Sequence, residues 1–74
     1  MMNEENTMTN DFYRVIETRV REAVARKENQ IRGDINWDFV DADVFMETNP
    51  TPECRDLYYT LFERACDVVE AEMA

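Results

Sequence analysis

The sequence contains no histidine and no serine, and it has only one glycine, Gly33. Without these residues neither a Ser-His-Asp triad nor a Cys-His pair can be assembled, and no metal ion can be held by histidine. Phosphate-binding loops and dinucleotide-binding fingerprints both need several glycines at fixed spacing. These absences exclude serine and cysteine-histidine hydrolases and the glycine-rich nucleotide-binding sites.

Positive charge is also scarce. Eight basic residues stand against 17 acidic ones, which gives a formal net charge of −9. Affinity for phosphates comes from lysine and arginine, so direct binding to nucleic acid or to an anionic membrane is disfavoured. A basic partner protein suits this charge better. The acidic start is not typical of a targeting peptide, and no apolar run approaches the ~20 residues of a membrane span. We therefore expect a cytoplasmic protein.

The two cysteines, Cys54 and Cys66, are both expected on one helix. Twelve residues of helix separate their Cα atoms by roughly 18 Å, and a disulfide needs about 7 Å or less. Two free thiols are predicted, each a small buried apolar side chain, as is usual in a reducing compartment.

A chain of 74 residues, 45% of them hydrophobic, is long enough for one small domain. Residues 1–8 show no periodicity and predict a flexible tail, followed by a single helical domain over 9–74. Apolar residues then recur at helical spacing, which predicts a first helix over 10–32 that ends before Gly33. Thr51 and Pro52 are typical of a helix start and predict a last helix over 52–72.

The segment DINWDFVDAD, residues 34–43, admits three interpretations. As a strand it would lose its alternation at Val40, and no partner strand is evident elsewhere. As a calcium loop it would need glycine at its sixth position and glutamate at its twelfth, but it has Phe39 and Phe45 there. As a helix, capped by Asp34 or Asn36, it forms a second helix over 36–48. The sequence thus predicts an all-α, three-helix bundle.

The acidic residues of this second helix are the candidate functional surface. Residues 34–54 contain six acidic residues and no basic one. Two interpretations stay open: a solvated face paired in part with arginines of the first helix, or a surface that imitates a row of phosphates to a basic nucleic-acid-handling protein. The predicted partner-binding residues are Asp34, Trp37, Asp38, Asp41, Asp43, Glu47 and Tyr59. No catalytic residue, cofactor or metal site is predicted.

A second hypothesis concerns apolar contacts. A bundle of this size cannot easily bury all of its large aromatic side chains, and exposed Trp and Tyr are frequent anchors of interfaces. The chain would then be a structural or accessory subunit of a larger complex, with a homodimer as one form of that arrangement.

Two resemblances agree with a role as a binding protein. The stretch PECRDLYY, residues 52–59, resembles the Tyr-Tyr helix of acidic bacteriocin-immunity proteins, although it lacks the residue between Leu57 and Tyr58 and the proline that follows. The layout of a long, a short and an aromatic helix resembles the small theta subunit of a bacterial replicative polymerase. Both resemblances imply a non-enzymatic partner of a nucleic-acid enzyme.

Overall fold

The computed structural model describes the backbone of residues 4–73 and the side chains of residues 9–73. It contains three α-helices and one two-stranded hairpin, so the predicted all-α, three-helix fold is confirmed. Short 3₁₀ helices precede the hairpin and the last α-helix. The elements in chain order are α1 (Glu4–Ala25), a 3₁₀ helix (Lys27–Asn29), β1 (Gln30–Ile31), β2 (Asp34–Ile35), α2 (Trp37–Thr48), a 3₁₀ helix (Pro52–Cys54) and α3 (Arg55–Met73).

Helix α1 differs from its prediction at both ends. It begins at Glu4, inside the segment expected to be a tail, whose first three residues lie outside the described chain. It ends at Ala25 instead of residue 32, so the predicted C-terminal end was wrong. Side-chain amides explain the early end: Asn29 Nδ2 donates to Ala23 O at 2.8 Å, and Gln30 Nε2 donates to Val24 O at 3.0 Å. These donors satisfy carbonyls that a longer helix would have bonded to its own backbone.

The residues released from α1 form the hairpin. Strand β1 pairs antiparallel with β2, so that Ile31 lies opposite Asp34. The two residues between the strands, Arg32 and Gly33, both have positive φ, 55° and 86°. Positive φ at both positions is typical of a tight two-residue hairpin turn. Residues 34–35 are therefore a strand after all, and their partner lies in the segment that had been assigned to the first helix.

Helix α2 closely follows its prediction. The Asn36 side chain accepts hydrogen bonds from the backbone N–H groups of Asp38 and Phe39, which makes Asn36 the N-cap. Asn49 ends the helix in the left-handed conformation, and its N–H donates to the Phe45 carbonyl at 2.7 Å.

Helix α1 is the centre of the bundle and packs closely against both α2 and α3. Arg64 lies over the ring of Tyr13, and two turns further along each helix Arg21 contacts Glu72. Because both contacts advance in the same direction, α1 and α3 run parallel. The buried apolar core consists of Ile16, Val20, Ala23, Val24, Val40, Val44, Tyr58, Leu61, Phe62, Ala65 and Val69.

Leu57 and Leu61 provide a matched test of this core. Both are leucines of α3 and lie one turn apart, but Leu61 is 5% exposed and Leu57 is 39% exposed. We expect Leu61→Ala to lower the free energy of unfolding by about 2–5 kcal/mol, because it leaves a cavity among packed side chains. Leu57→Ala should lower it by less than about 1 kcal/mol. Urea unfolding followed by circular dichroism measures both; equal losses would contradict this packing.

Candidate functional site

Helices α2 and α3 are joined at one end and apart at the other. At the joined end Phe45 of α2 meets Tyr58 edge-to-face, with ring centroids 5.5 Å apart, and stacks on Tyr59 at 6.1 Å. Elsewhere the two helices approach each other less closely than either approaches α1. This separation leaves an open groove between them, which we call the α2–α3 groove.

The α2–α3 groove has a volume of about 430 Å³. Its inner part is apolar, and its exposed rim on α3 is acidic. Trp37, at the start of α2, is partly exposed and lines the groove on the α2 side. The lining residues are Trp37, Phe62, Glu63, Cys66, Asp67 and Glu70, with no basic residue among them.

Asp38 and Asp41 add negative charge to the same region. Burial raises the pKa of the Asp41 carboxyl, and the nearby charge of Asp38 raises it further. Burial also raises the pKa of the Cys66 thiol to about 12, and the charges of Asp41, Asp67 and other α3 acids add to that increase. Carboxylates from both helices therefore contribute negative potential at the inner surface of the groove.

Asp43 and Glu47 play a different part, because both bind residues that follow α1. Asp43 Oδ2 accepts from the buried amide of Asn29 at 2.8 Å and from Arg26 Nη1 at 3.1 Å. Arg26 Nη2 also donates to Glu47 Oε1 at 2.5 Å. The Asn29 hydrogen bond, and then Arg26, hold the pKa of the Asp43 carboxyl below its usual range. We call these four residues, Arg26, Asn29, Asp43 and Glu47, the Asp43 cluster.

The predicted site residues thus fall into three groups. Trp37, Asp38 and Asp41 lie together at or beside the groove, and Asp34 lies beside Trp37 where the hairpin meets α2. Asp43 and Glu47 belong to the Asp43 cluster and are engaged within the molecule. Tyr59 lies at the joined end of α2 and α3, stacked on Phe45 and 46% exposed.

The prediction missed the acidic residues of α3 that line the groove. Glu63, Asp67 and Glu70 recur at four- and three-residue spacing, which places them on one face of a helix. That spacing is visible in the sequence. However, only the structure shows that this face and Trp37 share one groove.

Helix α2 also has an exposed apolar stripe on the side away from its buried residues. Phe39 is 50% exposed and Met46 is 76% exposed, and Ala42 lies between them on the same face. Phe39 and Met46 lie outside the buried core, to which Val40 and Val44 of the same helix contribute. They are therefore a second surface with the character of an interface.

Both cysteines are free, as predicted, but only one of them is withdrawn from solvent. Cys66 is partly buried in the groove. Cys54 is exposed in the 3₁₀ helix that precedes α3, so the expectation that it is buried was wrong.

Among the described side chains, those of residues 9–73, no cluster of three or more acidic or cysteine residues is arranged to hold a metal ion. Nor does any helix within residues 4–73 have the length and apolar character that crossing a membrane requires. Comparison of the chain with protein-family models, curated proteins and solved structures finds no match. The two resemblances seen in the sequence therefore gain no support, and function rests on the geometry of the chain itself.

Asp41 and Asp43 are two residues apart on α2, so they lie on nearly opposite sides of the helix, and they should respond oppositely to mutation. Asp43→Ala should lower the free energy of unfolding by about 1–3 kcal/mol, because the buried Asn29 amide loses an acceptor. Asp41→Asn should raise stability at neutral pH, because the folded state disfavours the Asp41 charge. Urea unfolding measures both changes.

The pH dependence supplies the control. Because the pKa of Asp41 is higher in the folded state than in the unfolded state, its charge destabilises the fold increasingly as the pH rises from the unfolded-state pKa to the folded-state pKa, and fully above that. The gain from Asp41→Asn should therefore shrink as the pH falls through this range and vanish below the unfolded-state pKa. The lowered pKa of Asp43 means that its contribution persists to lower pH and is lost as the pH falls through the folded-state pKa. Destabilisation by Asp41→Asn at neutral pH would contradict this assignment.

Proposed function

We propose that this chain is a small, acidic, non-enzymatic protein-binding domain that inhibits or modulates a basic nucleic-acid-handling protein. One observation carries the proposal: the partly exposed Trp37 is flanked by Asp38 and Asp41, and neither carboxylate forms an ion pair with any described side chain. A large aromatic side chain beside unpaired charge is typical of an interface anchor with an electrostatic surround.

Nucleic-acid mimicry is the form of inhibition that this surface supports. Asp38 and Asp41 lie on a helix whose N-cap is fixed by Asn36, and Asp34 lies on the adjoining strand. Carboxylates on such elements hold their spacing, as phosphates do along a nucleic-acid strand. The net charge of −9 would steer a basic partner toward this surface from a distance.

A non-enzymatic role agrees with the chemistry of the groove. The sequence has neither serine nor histidine to act as nucleophile or base. The pKa of the Cys66 thiol is raised to about 12, so almost no thiolate is present at neutral pH. The free thiols suit a reducing compartment, and we place the protein in the cytoplasm.

A second candidate function rests on the exposed apolar stripe of α2. Phe39 and Met46 are each at least half exposed, and Tyr59 is nearly so. An accessory subunit of a larger complex, or a homodimer, would bury such side chains against its partner. In that case the acidic residues would contribute only solubility.

Binding measurements on paired variants separate the two functions. The immobilised protein is used to capture nucleic-acid-binding proteins from nuclease-treated extract of its source cells, and each captured protein is then purified for kinetics. For a mimic, added nucleic acid should displace the captured protein. Asp38→Asn with Asp41→Asn should slow its association roughly tenfold at low salt, because complementary charge acts mainly on encounter.

The matched control is Asp11→Asn with Glu28→Gln, which removes the same charge from exposed positions that lie outside α2 and outside the groove lining. It should leave association nearly unchanged. The proposal fails if the two double variants behave alike, or if nucleic acid does not compete. Loss of binding in Phe39→Ala with Met46→Ala alone would establish the accessory-subunit function instead, and sedimentation equilibrium would show whether the partner is a second copy.

A further inference from the structure

The acids on the α3 side of the groove follow the period of a helix. Glu63 and Glu70 are seven positions apart with Asp67 between them, and at a rise of about 1.5 Å per residue the three acids form a row roughly 10 Å long. Each acid is one turn from the next, so the row matches cations placed one turn apart on a second helix. None of the three forms an ion pair with a described side chain.

The inner surface of the groove is suited to apolar side chains. Phe62 is almost fully buried, Cys66 is partly buried, and Trp37 faces them from the start of α2. The groove is open along one side, unlike the enclosed cavities that surround most of a small ligand. An open apolar surface with an acidic rim is complementary to a helix that has one apolar face flanked by cations.

We propose that the α2–α3 groove binds a basic amphipathic helix of the partner protein, with apolar side chains against Trp37 and Phe62 and cations opposite Glu63, Asp67 and Glu70. This inference rests on the proposed function and names the part of the partner that binds. Charge complementarity selects this occupant: the lining residues include three acids and no base. A second copy of this chain would bring its own net charge of −9 to the same rim.

A synthetic peptide tests the proposal without knowledge of the partner. The probe is an amphipathic helix of leucine and arginine with no aromatic residue, and its control is a scrambled peptide of the same composition with no apolar face. The chain has a single tryptophan, Trp37, so its fluorescence reports on the groove directly. The amphipathic peptide should shift the Trp37 emission at saturation and bind about tenfold more tightly than the scrambled peptide.

Variants on α3 identify the contact. Glu63→Gln, Asp67→Asn and Glu70→Gln combined should weaken binding of the amphipathic peptide roughly tenfold. The matched control, Asp11→Asn, Glu28→Gln and Glu53→Gln combined, should weaken it less than about threefold. Circular dichroism confirms that both variants remain folded. All six positions are exposed, so the substitutions leave the core intact.

Three results would overturn the inference: equal affinity for the two peptides, equal effects of the two triple variants, or amide shifts that follow the hairpin instead of residues 62–70 in a nuclear magnetic resonance titration. If the peptide fails while the Asp38 and Asp41 variant still slows association of a captured partner, only the helix-binding inference is lost. Failure of both measurements removes the proposed function as well.

Discussion

The carboxylate of Asp43 is the point on which the arrangement of the helices depends. It accepts from the buried amide of Asn29 and from the guanidinium of Arg26, both in the segment that leaves α1. The same Asn29 amide group donates to the Ala23 carbonyl near the end of α1. One side chain of α2 is thus linked through Asn29 to the last turn of α1. Because a buried amide without partners is costly, this link fixes where α1 stops and which face of α2 meets it.

The position of the groove follows from that link. With Asp43 directed to α1, Val40 and Val44 are buried against the core, and Trp37 and Asp41 lie toward α3. The contacts of Phe45 with Tyr58 and Tyr59 close the other end of the pair. The groove is therefore what remains between two helices that are both held by α1 and meet each other at one end only.

The same link divides the acids of α2 by role. Asp43 has a lowered pKa because it is hydrogen-bonded within the fold, whereas Asp41 has a raised pKa because it is partly buried near Asp38 without a cation. The charge of Asp41 lowers the stability of the fold, and an uncharged asparagine at this position would restore that stability. Such a charge is a common sign of a site kept for binding, and it supports assigning partner contact to Asp38 and Asp41 in preference to Asp43.

Local signals in the sequence were sufficient for much of this fold. Helical periodicity and the Asn36 cap located α2, and Thr51 with Pro52 located the start of the last helical segment. The end of α1 was mispredicted because apolar spacing continues to Ile31, while the competing bonds are side-chain contacts of Asn29 and Gln30 that helical spacing does not show. For the site, the acidic charge and Trp37 were predictable.

The division of the acids was not predictable, because it depends on which carboxylates Arg26 and Asn29 reach across the bundle. Arg26, just after the end of α1, forms ion pairs with Asp43 and Glu47 of α2. The acidic row of α3 was not predicted as part of the site, because only the packing of the helices places it in the same groove as Trp37.

A carboxyl titration by nuclear magnetic resonance would separate the two groups of acids, because it observes Asp41 and Asp43 individually in the unmodified protein. We expect the carboxyl carbon resonance of Asp43 to titrate below the usual pKa of an aspartate and that of Asp41 to titrate above it. Arg26→Ala should raise the pKa of Asp43 and leave that of Asp41 almost unchanged. Coincident titrations of the two carboxyls, or the reverse order, would contradict the division of the acids into a structural group and a group free to bind.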